Sequence, residues 1–352
     1  MSAGPSAPPP EPLYKIRDGG RYGFINRRGE VVIQPQYLDA EPFTGDFTRV
    51  RFNDKLVPLD RLGRLLLRHV FNFVGPFAGG RARARRVHKW GFIDELGALA
   101  IDTVFDDAAD FSEGLAAVSR DGAYGYVDPA GRLAIEPTFQ RADSFSYGLA
   151  VAQRDGRVGF IDESGAWRIQ PLLEDAGALQ AGGRIAAFAD GGKWGIVSAG
   201  GSVVAPARYR LTDTVAEVRF AHDRARVVDD GERSGYVDPE GREVIAPRFG
   251  AARDFADGLA AVRSGGEWGY IDVDGDGRVD PRYDEANDFH EGFASVRRGE
   301  WWSFIDADGR ELETERFDAL GDFEHGLAWA TRGGRWHYLD REGSVVWRER
   351  LD

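Results

Sequence analysis

The stretch Lys89-Trp90-Gly91-Phe92-Ile93-Asp94-Glu95-Leu96-Gly97 decides the fold, because its pattern recurs along the whole chain. The string of aromatic, glycine, aromatic, Ile or Val, and Asp ends at Asn26, Asp60, Asp94, Asp128, Asp162, Ser198, Asp238, Asp272, Asp306 and Asp340, at steps of 34, 34, 34, 34, 36, 40, 34, 34 and 34 residues. Three residues after each stands a glycine, from Gly29 and Gly63 through Gly309 and Gly343. Asp first and Gly fourth, with Pro129 or Pro239 second in two copies, is the preference of a type I turn closed by a glycine at positive φ. Each copy therefore holds a β-hairpin.

Outward from the turn, Trp90 and Phe92 fall on one face of the preceding strand and Ile93 on the other, so both faces are apolar and the strand belongs inside a stack. Gly91 allows a neighbouring element to approach closely. After the turn a second strand runs to a proline such as Pro137, Pro247 or Pro281. Upstream a third strand, as in Gly114-Leu115-Ala116-Ala117-Val118, joins the Trp strand through a glycine turn. The intervening crossover keeps aromatics at fixed places, among them Phe105 and Phe111, Phe139 and Phe145, and Phe249 and Phe255. A period of 34 is also that of tetratricopeptide helix pairs, but regularly placed turn glycines and β-branched runs argue against helices.

Lys89-Trp90-Gly91-Phe92-Ile93-Asp94, Lys193-Trp194-Gly195 and Trp268-Gly269-Tyr270-Ile271-Asp272, with the Phe-x-x-Gly-Leu-Ala strings at Phe111 to Ala116 and Phe255 to Ala260, resemble the WG-repeat (KWG) family of bacterial proteins. The resemblance spans about residues 13 to 350 and implies a β-repeat array with no defined catalytic activity. It is uneven where Leu56, Val158 and Ser234 replace the Trp and where Val57, Ser303 and His337 replace the Gly. The expected fold class is all-β: ten three-stranded antiparallel meanders of about 34 residues, stacked as an open, curved β-solenoid. Openness follows from the chain ends, each of which carries a whole meander instead of the complementary fragments that close a propeller; a closed β-propeller-like ring is the alternative.

The chain has 45 basic and 58 acidic side chains, a formal charge of -13. This argues against a nucleic-acid or membrane-surface partner. Cysteine is absent, which excludes disulfides and thiolate chemistry. Residues 1–12 read as a Pro-rich disordered tail, without the basic start or apolar run of a signal peptide, and a cytoplasmic location is expected. Residues 13–172 and 234–352 read as two regular blocks, separated at 173–233 by irregular repeats: both long steps fall there, and Leu173 and Leu179 replace the crossover aromatics.

No catalytic constellation stands out, and no cofactor or metal is expected. Asp272-Val273-Asp274-Gly275-Asp276-Gly277 imitates a calcium loop, but Tyr283 holds the position of the bidentate Glu, and the string aligns without a gap on an ordinary turn at Asp238. The six histidines show no ligand spacing. Two basic clusters break the acidic background and are the expected partner-binding residues. Arg81, Arg83 and Arg85 alternate onto one strand face; Arg219, Arg224 and Arg226 lie in the copy with six extra residues. The function implied is a non-catalytic scaffold that binds another protein or macromolecule, a protein partner being the expectation. The alternative is a carbohydrate-binding or enzyme-associated module, for which Trp167, Trp301, Trp329 and Trp347 are the tryptophan candidates outside the Trp-Gly position.

Overall fold

The computed structural model describes residues 11–43, 45–52, 55–65, 71–212, 214–312 and 315–350. Among them the strands form ten antiparallel sheets, numbered here in chain order. Among the described residues the one helical element is the 3-10 turn Val215–Glu217, and no helix is long and apolar enough to cross a membrane.

Sheet 4 shows how a copy is built. The Asp128 turn closes with Gly131 N–H on the Asp128 carbonyl at 2.9 Å, and Gly131 has φ 81°. The Asp128 carboxylate accepts the N–H groups of Ala130 and Arg132, both at 3.0 Å. The same turn recurs from copy to copy, including the acidic one, where Asp272 Oδ1 accepts from Asp274 and Asp276.

Glycine beside the Trp matters because of the strand that follows the turn. A Cβ on Gly91 would lie 2.4 Å from the Ile101 carbonyl oxygen, inside contact distance, so the bulged pairing of Lys89–Ile93 with Leu99–Phe105 requires a bare backbone there. The three copies without this glycine pair differently. Sheets 2 and 9, with Val57 and Ser303, keep only isolated bridges in this region among the described residues, Leu59 to Leu65 in one, Trp302 to Phe317 and Ile305 to Glu311 in the other. Sheet 10, with His337, keeps the register but loses the bulge at that position: Tyr338 pairs with Trp347 as Phe92 does with Ile101, and His337 itself pairs with Arg348.

The expectation of three-stranded meanders falls short. Seven of the ten sheets have four strands, because part of each crossover, such as Asp107–Ala108, pairs with the front of the meander. Its backbone polar groups cannot be buried unpaired between two aromatics, and the free edge of the neighbouring strand satisfies them.

Sheets stack face to face. The residue two positions after the Trp is sealed: Phe92, Tyr126, Phe160, Tyr236, Tyr270 and Phe304 are all at most 1% exposed. Apart from Phe160, which packs on Leu179, each meets the crossover aromatic of the next sheet, as Tyr126 meets Phe145 and Tyr270 meets Phe289 at 4.8 Å. Where this residue is Tyr, its hydroxyl also donates to the next sheet's crossover, Tyr126 to the Asp143 carbonyl at 2.6 Å and Tyr270 to that of Asn287 at 2.7 Å. Trp90 and Trp268 are only half-buried, lids at the rim of the core rather than its centre. On one face carboxylates latch sheet to sheet: Glu113 accepts the N–H groups of Tyr147 and Gly148, and Glu291 those of His325 and Gly326.

The expected openness does not hold, because the two ends of the chain meet. Sheet 1 consists of β1 (Tyr14–Asp18), β2 (Arg21–Ile25) and β3 (Val31–Tyr37). Tyr14, Ile16 and Ile25 form one buried cluster with Leu327 and Tyr338 of sheet 10. The Tyr14 and Tyr338 rings lie 5.6 Å apart, Tyr338 Oη donates to the Lys15 carbonyl at 2.8 Å, and Arg17 pairs with Glu349 at 3.0 Å. The other face of sheet 1 packs on sheet 2 through Phe24, Ile33, Val50 and Leu59. The series of sheets thus closes on itself, the β-propeller-like arrangement. Whole meanders at both ends do not prevent closure, because sheet-on-sheet burial works at the seam as it does between any two neighbours.

Replacing Phe92 with Ala should destabilise by about 3–5 kcal/mol, and Trp90→Ala by clearly less, since only the former empties a sealed site. Gly91→Ala should cost about 1–3 kcal/mol and speed hydrogen exchange selectively in Leu99–Phe105. Equal melting of the Trp90 and Phe92 variants would contradict the assignment of lid and core.

Candidate functional site

The two basic clusters come from strands at the same place in their sheets, Arg81–Arg86 in sheet 3 and Arg224–Val228 in sheet 7. Arg81 and Arg224 occupy matching positions and reach across to backbone. Arg81 donates from Nε to the Pro129 carbonyl at 3.3 Å, Arg224 to that of Val273 at 3.0 Å. Arg83 and Arg226 also match. Arg83 pairs with Asp110 at 2.9 Å and donates to the Ala108 carbonyl, with its guanidinium over Phe73 and Trp90; Arg226 stands 3.9 Å from Asp254. Arg85 is exposed, 5.3 Å over the Trp90 ring, and Arg219 is exposed. Arg81, Arg83 and Arg224 are therefore occupied between sheets, whereas Arg85, Arg219 and Arg226 face outward. The structure does not bring the two clusters into one patch.

At sheet 7 the six extra residues change the regular crossover. The 3-10 turn Val215–Glu217 drops Val215 into the core of sheets 6 and 7, and only Phe220–Ala221 pairs in front of the Arg224 strand. Beside it opens a polar cavity of about 430 Å³ whose walls include Arg210, Arg219 and Arg226 together with the carboxylates Glu217 and Asp254. Arg210 is held by Glu232 at 2.7 Å. Burial raises the Asp254 carboxyl above its ordinary value, partly offset by Arg226.

A larger cavity, about 910 Å³, lies at the seam, with sheets 8, 9 and 10 on one side and sheets 1 and 2 on the other; Lys15, Phe43, Asp288, Asp322, Trp329 and Tyr338 are among its walls. Burial raises the Asp288 carboxyl too. Of the four tryptophans outside the Trp-Gly position, Trp167 packs edge-on to Phe139 and Trp347 on Tyr338, while Trp301 and Trp329 are each 39% exposed. Trp329 lies flat over Gly321, where any Cβ would collide with the indole, and stacks on Trp336 at 6.3 Å. Its signal in the sequence was faint: Trp329 stands where other copies have Ala117, Ala187 or Ala261.

With this geometry in place, comparison with known proteins gives the class. The WG containing repeat matches seven segments, residues 22–55, 90–122, 124–157, 159–194, 235–268, 268–300 and 302–336, well over half of the sequence. The chain belongs to the WG-repeat family, an all-β repeat family without a known catalytic role. Comparison with the curated proteins gives no match. Among solved structures, a crystal structure of the eukaryotic initiation factor aligns over 97% of this chain and 96% of its own, with a TM-score of 0.57 at 12% identity, a likeness of fold. The computationally designed Ika8 protein (TM-score 0.39, 13% identity, 87% and 93% covered) and BamB from Moraxella catarrhalis (0.36, 14%, 78% and 94%) align more loosely.

A carboxyl raised by burial makes the fold weaker when it is charged. Its penalty is absent below the unfolded value, near pH 4, and grows as pH rises through the folded value. Asp254→Asn should therefore raise Tm at pH 7, by the equivalent of about 1 kcal/mol or less, with the gain vanishing toward pH 4. A gain that persisted unchanged at pH 4 would trace to packing, not charge.

Proposed function

We propose that the chain is a non-catalytic scaffold that binds a partner protein through an acidic surface seated at the sheet 7 cavity. The observation that carries this reading is the coincidence of the six-residue insertion, the 430 Å³ cavity and the outward-facing Arg219 and Arg226 in one copy of an otherwise regular array. Insertions in repeat proteins map to surface loops, often on the binding side, and guanidinium groups engage carboxylates through paired hydrogen bonds. Arg224, tied to Val273, positions the strand instead of meeting the partner. Arg81 and Arg83 do the same in sheet 3, which leaves Arg85 as that cluster's contact. Residues 173–233, read from the sequence as the irregular segment, supply all of the cavity's arginines, and Asp254 of the next sheet completes its wall. A carbohydrate-binding module, the second reading, draws on Trp329 in the seam cavity; Trp167 and Trp347 are packed.

The test is affinity capture from the native cell with the full chain, followed by titration of the purified partner against Arg219→Glu/Arg226→Glu. Binding should fall by about tenfold or more and weaken with salt, while Arg81→Glu acts through loss of stability. Unchanged affinity at low salt would exclude the cavity as the contact.

A further inference from the structure

Among the described residues, sheets 1 and 2 have no named first strand, but in sheet 2 Leu38 to Glu41 still bond along the front of the second strand, with an Ala40 to Val50 bridge, whereas no described segment does so in sheet 1; its order is β1, β2, β3, and β1 corresponds to the second strand of sheet 4. In the other sheets the first strand gives an N–H to a fixed carbonyl of the second: Glu41 to Arg49, Ala109 to Ala117, Asp143 to Val151 and Arg253 to Ala261, each at 2.9 Å. The 34-residue period places Lys15 at that carbonyl in sheet 1. No first strand of sheet 1 reaches it; Tyr338 Oη does, whereas the matching Tyr126 hydroxyl bonds to a first strand. Tyr14 similarly fills the space of the missing crossover aromatic, its ring against Tyr338 where Phe145 lies against Tyr126.

The 910 Å³ cavity is the remainder of this gap, bounded by the first strand of sheet 10 (Ala319–Glu324), by Phe43 of sheet 2 and, behind, by Lys15. Its charges are unequal in their commitments. Arg61 donates to the Glu11 and Gly45 carbonyls, Lys15 lies 5.3 Å over the Tyr22 ring, and Arg253 lies 5.8 Å over that of Trp268. On the acidic side, Asp288 Oδ1 is buried with no hydrogen-bond partner, its carboxyl meeting the charges of Arg253 and His290 only through space, and Asp322 pairs with His290 at 3.4 Å. An unpaired carboxylate oxygen and a half-exposed indole in the walls of one cavity offer a cationic side chain two kinds of partner, a charge and a ring face.

We propose that this gap receives an extended, basic segment of a partner protein, which adds to β1 as the missing first strand of sheet 1. The added strand gives an N–H to the Lys15 carbonyl, releasing Tyr338 Oη, and sets its next side chain, a Lys or Arg, against Trp329 and Asp288. It carries a small residue opposite Ile16, as Ala108 stands opposite Val118, and no aromatic after the cation, because Tyr14 already occupies that place. The chain's own first ten residues are poor candidates, since Pro5, Pro8, Pro9 and Pro10 lack the donor that strand addition requires. The inference rests on the scaffold reading but not on the sheet 7 cavity.

The probe is the hexapeptide of residues 249–254 with D254K, titrated into the full chain with amide exchange followed in Tyr14–Asp18. It should bind and slow exchange in that strand, and the unaltered hexapeptide, which ends in Asp, should bind about tenfold more weakly. Trp329→Ala, a change at an exposed side chain, should weaken D254K binding by about tenfold, and Arg219→Glu/Arg226→Glu should leave it unchanged, which separates this site from the proposed protein contact. No binding at about 1 mM peptide, equal binding by Trp329→Ala, or β1 amides already protected and unaffected by peptide would each overturn the proposal, the last by showing the gap already filled.

Discussion

A 34-residue sheet has two apolar faces and no core of its own, so everything else here depends on burying one aromatic side chain against the next sheet. That residue, two positions after the Trp, is sealed in nearly every copy, and its partner is the crossover aromatic of the neighbour. Burial of such a ring stabilises by roughly 2–3 kcal/mol, and a lone meander is marginal without it. The hairpin turns, the bare glycine and the short first strands serve to hold that ring at the correct depth.

Much of this was legible in the sequence. The Asp-x-x-Gly turns, the strand that ends at each Asp and the need for a close approach at Gly91 all follow from local rules, and all are present. The first strand was not legible: it is only two residues long in several sheets, too short to show a period, and exists because a neighbouring edge is available. That Phe92 lies deeper than Trp90, and Tyr270 deeper than Trp268, was not legible either, since residues two apart share a face and the pattern alone cannot say which is sealed.

The arginines show a second limit. Arg81, Arg83 and Arg85 do alternate onto one strand face, as the pattern indicates, but that face looks toward the next sheet for the first two and toward solvent only for the third. A single strand's pattern cannot reveal what the following unit puts opposite it. The same holds for Trp329, whose environment is assembled from sheets at opposite ends of the chain.

Closure through Tyr14, Tyr338 and the Arg17–Glu349 pair changes what the number of copies means. In an open stack, adding or deleting a unit alters only length. In a ring each unit contributes a fixed fraction of a full turn, so only one whole number of units brings the two end faces into contact at the normal spacing. Loss of a copy would force every remaining interface to tilt or leave two aromatic faces bare. Copies that depart from the pattern, such as those bearing Val57, Ser303 and His337, thus still serve as angular spacers, since each fills its fraction of the turn whatever its own strand pairing.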